Sequence, residues 1–239
     1  MRRTFAGKKL MYFVFFTFIG SIVYTAVRIV AAPTVAPSSD VTIRVKSDYV
    51  LMLAQCVLGA SAMLIPGLLR RLTRLNIPSV MLIMYAVFLY CAIYLGEVRN
   101  FYYSIPHWDT ILHTFSGVAL GALGFSLVTI LNKSDSVMFS LSPLFISLFS
   151  FCFALSLGIL WEVYEFLVDC FLNTNMQKYA LETGEMLIGQ IALVDTMKDL
   201  IVDAVGAFVI TSIGFISLKY KKGWLEKFQV KRFGIRNRV

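Results

Sequence analysis

Three short stretches of this chain set acids and histidine at helical spacing inside oily surroundings. In "HWDTILHTFSG", Asp109 and His113 stand one helical turn apart, with Ser116 a further turn on. In "WEVYEFLVD", Glu162 and Asp169 share a face two turns apart, and Glu165 lies between them. In "DTMKDLIVD", Asp195, Asp199 and Asp203 repeat every four residues along a third face. At a rise of about 1.5 Å per residue, Asp203 lies about 12 Å below Asp195, and Glu162 about 10 Å below Asp169. His113, Glu162 and Asp203 can then share a level, with Asp109, Asp199 and Glu165 or Asp169 one turn nearer the surface. Carboxylates with a histidine on facing helices are the donor set for one or two divalent ions. Such an ion activates water and polarises a phosphoryl or acyl oxygen.

The elements that must position these residues are membrane helices. The chain has 239 residues, is 58% hydrophobic and only 15% charged, and has a mean hydropathy of +0.76. Apolar runs long enough to cross a bilayer recur throughout. The expected fold is all-α, a polytopic membrane bundle of about six spans near 10–31, 49–69, 78–97, 108–131, 139–171 and 195–218. Residues 1–239 are read as a single integral membrane domain, with 219–239 a basic cytoplasmic tail. The four cysteines, Cys56, Cys91, Cys152 and Cys170, fall inside apolar runs without metal-ligand or disulfide spacing. There is no internal repeat. The first 30 or so residues also have the look of a signal peptide, but the apolar stretch is long for one, so a retained anchor is expected.

Lysine and arginine give the orientation. Arg2, Arg3, Lys8, Lys9, Arg70, Arg71, Arg74, Lys133 and the whole tail collect on one side, whereas Arg44, Lys46, Arg99 and Lys178 fall on the other. The basic side is expected in the cytoplasm, with both termini. The net charge of +8 is therefore a topology signal and no argument for nucleic acid. The tail, with Trp224, Leu225 and Phe228 among its lysines, is suited to anionic lipid.

In this topology, eight of the 14 acids (Glu97, Asp109, Glu162, Glu165, Asp169, Asp195, Asp199 and Asp203) lie in the outer half of four spans with both histidines. An acid facing lipid at a helix centre costs about 2.5–3.5 kcal/mol, so most should turn into a shared cavity. Arg28, Arg99 and Lys198 are the nearby cations and do not balance them, which leaves metal or protons to do so. Plainer roles compete at several positions. Asp109 and Asp195 precede Thr at helix starts and suit N-caps equally well. Glu97 can pair with Arg99 or mark the interface. His107 reads as interfacial, Trp108 and Trp161 as packing or interface aromatics, Gly117, Gly121 and Ser116 as helix-packing residues, and Glu182 and Glu185 as solvated. Asp169 has no such alternative: at a helix C-terminus the dipole disfavours it, so it is expected to need a cation most.

Together the three motifs resemble the YjdF-like family of bacterial inner-membrane proteins over roughly residues 97–210. The resemblance implicates Asp109, His113 and Gly117, then Glu162 and Glu165, then Asp195, Thr196, Asp199 and Gly206. It implies a bacterial plasma-membrane location and brings no activity with it. Three functions fit the residues. One is a metal-dependent hydrolase or transferase acting on a lipid-linked substrate. Its metal ligands would come from Asp109, His113, Glu162, Asp169, Asp195, Asp199 and Asp203, with Glu165 as general base. The second is a proton or metal-cation transporter, although the acids stop halfway across and no repeat is present. The third is a non-catalytic scaffold or assembly partner. Membrane lipids are the expected surroundings in each.

Overall fold

A computed structural model describes residues 2–34, 44–73, 75–132, 141–181 and 185–232. Arg74, Lys133, Glu182 and the last residues of the tail lie outside that set. Helix α1 (Arg2–Ala31) is followed by α2 (Lys46–Ala62), the short α3 (Ile65–Thr73), α4 (Ser79–Leu89) and the one-turn α5 (Phe101–Ser104). Two long helices, α6 (Trp108–Asn132) and α7 (Pro143–Leu172), precede α8 (Val194–Lys219). Among the described residues, six stretches are long and apolar enough to cross a membrane: Gly7–Ala31, Lys46–Thr73, Ser79–Val98, Trp108–Asn132, Pro143–Leu172 and Gly189–Lys219. The protein is a multi-pass helical bundle. Large apolar side chains such as Phe16, Val27, Phe149 and Phe208 are exposed on its outside, as a lipid-facing surface requires.

Two spans depart from the regular helices expected of them. The second breaks after Ala62, and α3 starts afresh with Pro66 near its first turn, where a missing N–H costs nothing. Its exposed Leu68, Leu69 and Leu72 alternate with Arg70 and Arg71, the pattern of a helix lying in an interface. In the third span α4 continues without a break into π-helical winding over Tyr90–Val98, closed by Arg99 N–H donating to the Tyr94 carbonyl at 2.9 Å. That winding ends at Glu97 and Val98, beside the acidic helices.

The helices form two groups. Val14 and Phe18 of α1 pack on Cys56 and Ala60 of α2 and on Ala86 and Ile93 of the third span, a wholly apolar contact. In the other group, α6 and α8 approach until glycine is required. A Cβ on Gly117 would lie 2.4 Å from the Asp203 carbonyl oxygen, and one on Gly206 would lie 2.6 Å from that of Thr114. Away from the acids, Thr129, Ser150 and Thr211 return their hydroxyls to carbonyls of their own helices, at 2.7, 2.7 and 2.8 Å. The segment after α8 folds back under this group: Val230 N–H donates to Ser126 Oγ at 2.7 Å. The strands β1 (Leu75–Asn76) and β2 (Lys231–Arg232) then pair antiparallel. One end of the bundle is thus basic and tied together by the tail, and the other is acidic.

Candidate metal centre

His113 sits at the middle of the acidic end, buried one turn inside α6. Its Nδ1 lies 3.2 Å from Asp203 Oδ2, and Ser116 Oγ donates to the other oxygen of Asp203 at 2.7 Å. A carboxylate accepts, so Nδ1 carries the hydrogen in this contact. The room for Asp203 comes from α7, where a Cβ on Gly158 would lie 2.7 Å from Asp203 Oδ2. On the far side of the ring, Nε2 faces Asp109 Oδ1 at 3.7 Å and Asp199 Oδ2 at 3.9 Å. Those separations are too long for hydrogen bonds. One donor atom from each of Asp109, His113 and Asp199 lies within 4.8 Å of the others, as ligands around one ion would.

Glu162 adds to this group from α7. It is 5% exposed, and neither of its oxygens has a hydrogen-bond partner among the described residues. It lies within electrostatic reach of His113, Asp195 and Asp109, with the Thr196 hydroxyl near but outside bonding geometry. Asp199, at 2% exposure, also has an oxygen, Oδ1, without a hydrogen-bond partner among the described residues. Unpartnered carboxylate oxygens at this depth are costly, and a bound cation is one remedy.

Asp195 and Asp109 are held differently. Neither caps its helix: both lie in the first turn, and both bind the ammonium of Lys178, with Asp195 Oδ1 3.1 Å from Nζ. Burial pulls the Lys178 pKa down, but Asp109 and Asp195 outweigh it and raise it above the ordinary lysine value. A raised lysine pKa means the clamp is intact below the ordinary lysine range and weakens only as pH climbs through the higher folded value. Lys178 is the cation that sequence reasoning missed. Of the cations it named, Arg28 donates to the Tyr49 hydroxyl at 2.9 Å and Arg99 is exposed. The available signal was a lone lysine in a long loop between two acidic helices.

Asp169, expected as a metal ligand and the acid most in need of a cation, takes its hydrogen-bond partners from the chain that follows it. Asn173 ends α7 in the left-handed conformation, at φ 52°, and the loop turns back over Asp169. Thr174 Oγ1 and Met176 N–H donate to its Oδ1 at 2.6 and 2.7 Å, and Gln177 N–H donates to its Oδ2 at 3.0 Å. Those donors meet its charge, and it stands outside the Asp109–His113–Asp199 group.

Glu165 faces a small neighbouring cavity of about 60 Å³ between the two helix groups, lined also by Glu97, Tyr102, Asp109, Trp161 and Lys178. Trp161 Nε1 donates to Glu165 Oε1 at 2.8 Å, so this tryptophan has a polar role besides packing. Glu97 reaches the cavity from the apolar group, and no ion pair joins it to Arg99 among the described residues. Arg44 caps that helix end instead, donating to the carbonyls of Glu97 at 3.1 Å and Val98 at 3.3 Å. Tyr102, packed on Gly96, has its hydroxyl pKa raised by burial and by the Asp109 and Glu97 carboxylates. His107, expected at the interface, and Glu185, expected to be solvated, are both exposed.

Comparison with known proteins agrees with this picture of a membrane bundle. An uncharacterised protein of Thermotoga maritima is 27% identical over 150 residues, which is 62% of this chain and 68% of that one. No solved structure matches the chain significantly. The profile of a family described as predicted membrane proteins, DUF2238, matches residues 10–220, a range that takes in the whole acidic site. With that match, and consistently with the YjdF-like resemblance, the chain belongs to the DUF2238 family of predicted membrane proteins.

Proposed function

We propose that this protein is a divalent-metal-dependent hydrolase or transferase of the bacterial plasma membrane, acting on a lipid-linked substrate at the outer leaflet. In this reading residues 1–239 form a single membrane domain, and the basic end faces the cytoplasm with both termini. The observation that carries it is the two-sided setting of His113. Asp203, itself held by Ser116, engages Nδ1, which fixes the ring and leaves Nε2 facing the carboxylate oxygens of Asp109 and Asp199. A carboxylate behind a histidine is the usual support for a metal-binding imidazole. The ligands would be Asp109, His113 Nε2 and Asp199, with Glu162 turning its unpartnered oxygens to the same ion.

A bound divalent ion would polarise a phosphoryl or acyl oxygen and acidify a water. Glu165, oriented by Trp161 at the edge of the adjoining cavity, would accept the proton from that water. The opposite half of the bundle weighs against a transport path. There Gly121 packs on Ile210, Gly124 packs on Ser150 and Phe153, and the tail crosses beneath. A non-catalytic scaffold role draws on the Lys178 clamp, which neutralises part of the acidic charge from within.

The test is elemental analysis of protein purified without chelators. The wild type should carry about one divalent ion per chain, and His113→Ala and Asp199→Asn should lose it. Wild-type protein without metal would overturn the reading. Lipid extracts incubated with the metal-loaded protein then separate turnover from a static site.

A further inference from the structure

The strap after α7 is built as firmly as a helix end. Beyond its three bonds to Asp169, Asn175 donates to the Ala180 carbonyl at 2.7 Å and accepts from Ala180 N–H at 3.0 Å. Tyr179 Oη donates to the Thr174 carbonyl at 3.0 Å, and Gln177 Nε2 donates to Thr196 Oγ1 on α8, also at 3.0 Å. These bonds deliver one side chain, Lys178, to the first turns of α6 and α8. Its ammonium binds Asp109 Oδ2 and Asp195 Oδ1. The other oxygen of Asp109, Oδ1, is the one that faces His113 Nε2. A single carboxylate is therefore shared between the protein's own cation and the candidate ion site.

We propose that Lys178 is a built-in competitor for the metal: it holds Asp109 in the metal-free protein and gives it up when a divalent cation binds, so that the strap sets the affinity of the site. The proposal rests on the metal reading above. A carboxylate with an ammonium on one oxygen is a weaker donor at the other, and two cations on one carboxylate repel each other at short range. Asp195 offers the displaced ammonium a place to remain, so the exchange moves one side chain and leaves the strap anchored by Asp169. If the clamp occupies Asp109 most of the time, the apparent affinity for metal is reduced by the fraction of molecules in which it is open.

The experiment is Mn²⁺ titration of the purified full chain, following free Mn²⁺ by electron paramagnetic resonance. Lys178→Met, which keeps an unbranched side chain and removes the charge, should bind Mn²⁺ about tenfold or more tightly than wild type. Lys178→Arg should stay within a few-fold of wild type. A second readout uses the wild type alone: acylation of Lys178 by a membrane-impermeant succinimidyl ester, quantified by mass spectrometry. Adding Mn²⁺ should raise labelling at Lys178 several-fold and leave labelling at Lys46 unchanged. Equal or weaker Mn²⁺ binding by Lys178→Met, with Lys178 labelling insensitive to Mn²⁺, would overturn the competitor role while the metal site stands. Failure of wild type and Lys178→Met alike to bind Mn²⁺ would overturn both.

Discussion

Helices α1 and α2 and the third span meet through Val14, Phe18, Cys56, Ala60, Ala86 and Ile93, whereas α6, α7 and α8 meet at one end through His113, Glu162, Asp199 and Asp203. The core of the first contact is held by shape, and in a bilayer that means dispersion, because lipid tails are as apolar as the side chains they replace; Arg28 on the Tyr49 hydroxyl and Tyr85 Oη on the Ala62 carbonyl add polar bonds beside it. Many side chains of similar volume satisfy such a contact. The second is held by charges that must find partners and by glycines that let backbones touch. One group is built to be tolerant and the other to be specific. The apolar group can brace the bundle without contributing to the acidic cluster. The groups touch where Phe88 of α4 stacks on Phe115 of α6, and Glu97 reaches across from the apolar group to the cavity of Glu165.

The contrast can be broken by substitution. The largest effect is expected at His113→Ala, which leaves Asp109, Asp199 and Asp203 facing one another and should cost about 3–5 kcal/mol, read as a fall in thermal unfolding midpoint in detergent. Gly117→Ala comes next, at about 3 kcal/mol, because the new Cβ would lie 2.4 Å from the Asp203 carbonyl oxygen and backbone cannot swing aside. The matched change in the apolar group, Gly59→Ala, should cost about 1 kcal/mol: its Cβ would lie 2.5 Å from Ile93 Cδ1 and 3.0 Å from the Phe18 ring, but both neighbours are side chains, and the end of an isoleucine can swing aside. Equal losses at Gly117 and Gly59 would contradict the distinction between the groups. Asp169→Asn should cost about 1–3 kcal/mol and increase proteolysis within residues 174–181, without removing bound metal. The smallest effect is of opposite sign: in chelated protein, Glu162→Gln should stabilise by about 1 kcal/mol, read as a higher unfolding midpoint, while weakening metal binding.

Much of the acidic face was legible because helical period decides which residues share a side. Asp195, Asp199 and Asp203 had to line one stripe of α8, and Asp109 with His113 one stripe of α6. The shared level of His113 and Asp203 followed from counting turns inward from the same surface. What was not legible depends on chain that has no period. Asp169 was read as unsatisfied because a helix end alone offers it nothing. The donors that satisfy it are N–H groups of residues 176 and 177, and their position depends on a turn at Asn173. Lys178 was hidden for the same reason. The break between α2 and α3 had a signal in "MLIPG", where hydropathy runs straight through a proline that the backbone does not ignore. Glu97 was uncertain because π-helical winding changes which face a residue near a helix end presents.

The central claim is that the acidic group is completed by a divalent cation held at Asp109, His113 and Asp199. It is tested most directly by thermal unfolding of protein purified without chelators, before and after treatment with EDTA, for the wild type and Asp199→Asn. Ligand linkage predicts that EDTA lowers the wild-type midpoint by about 5 °C, that Mn²⁺ restores it, and that Asp199→Asn responds to neither. A wild-type midpoint unmoved by EDTA, or an equal fall in both proteins, would contradict the account.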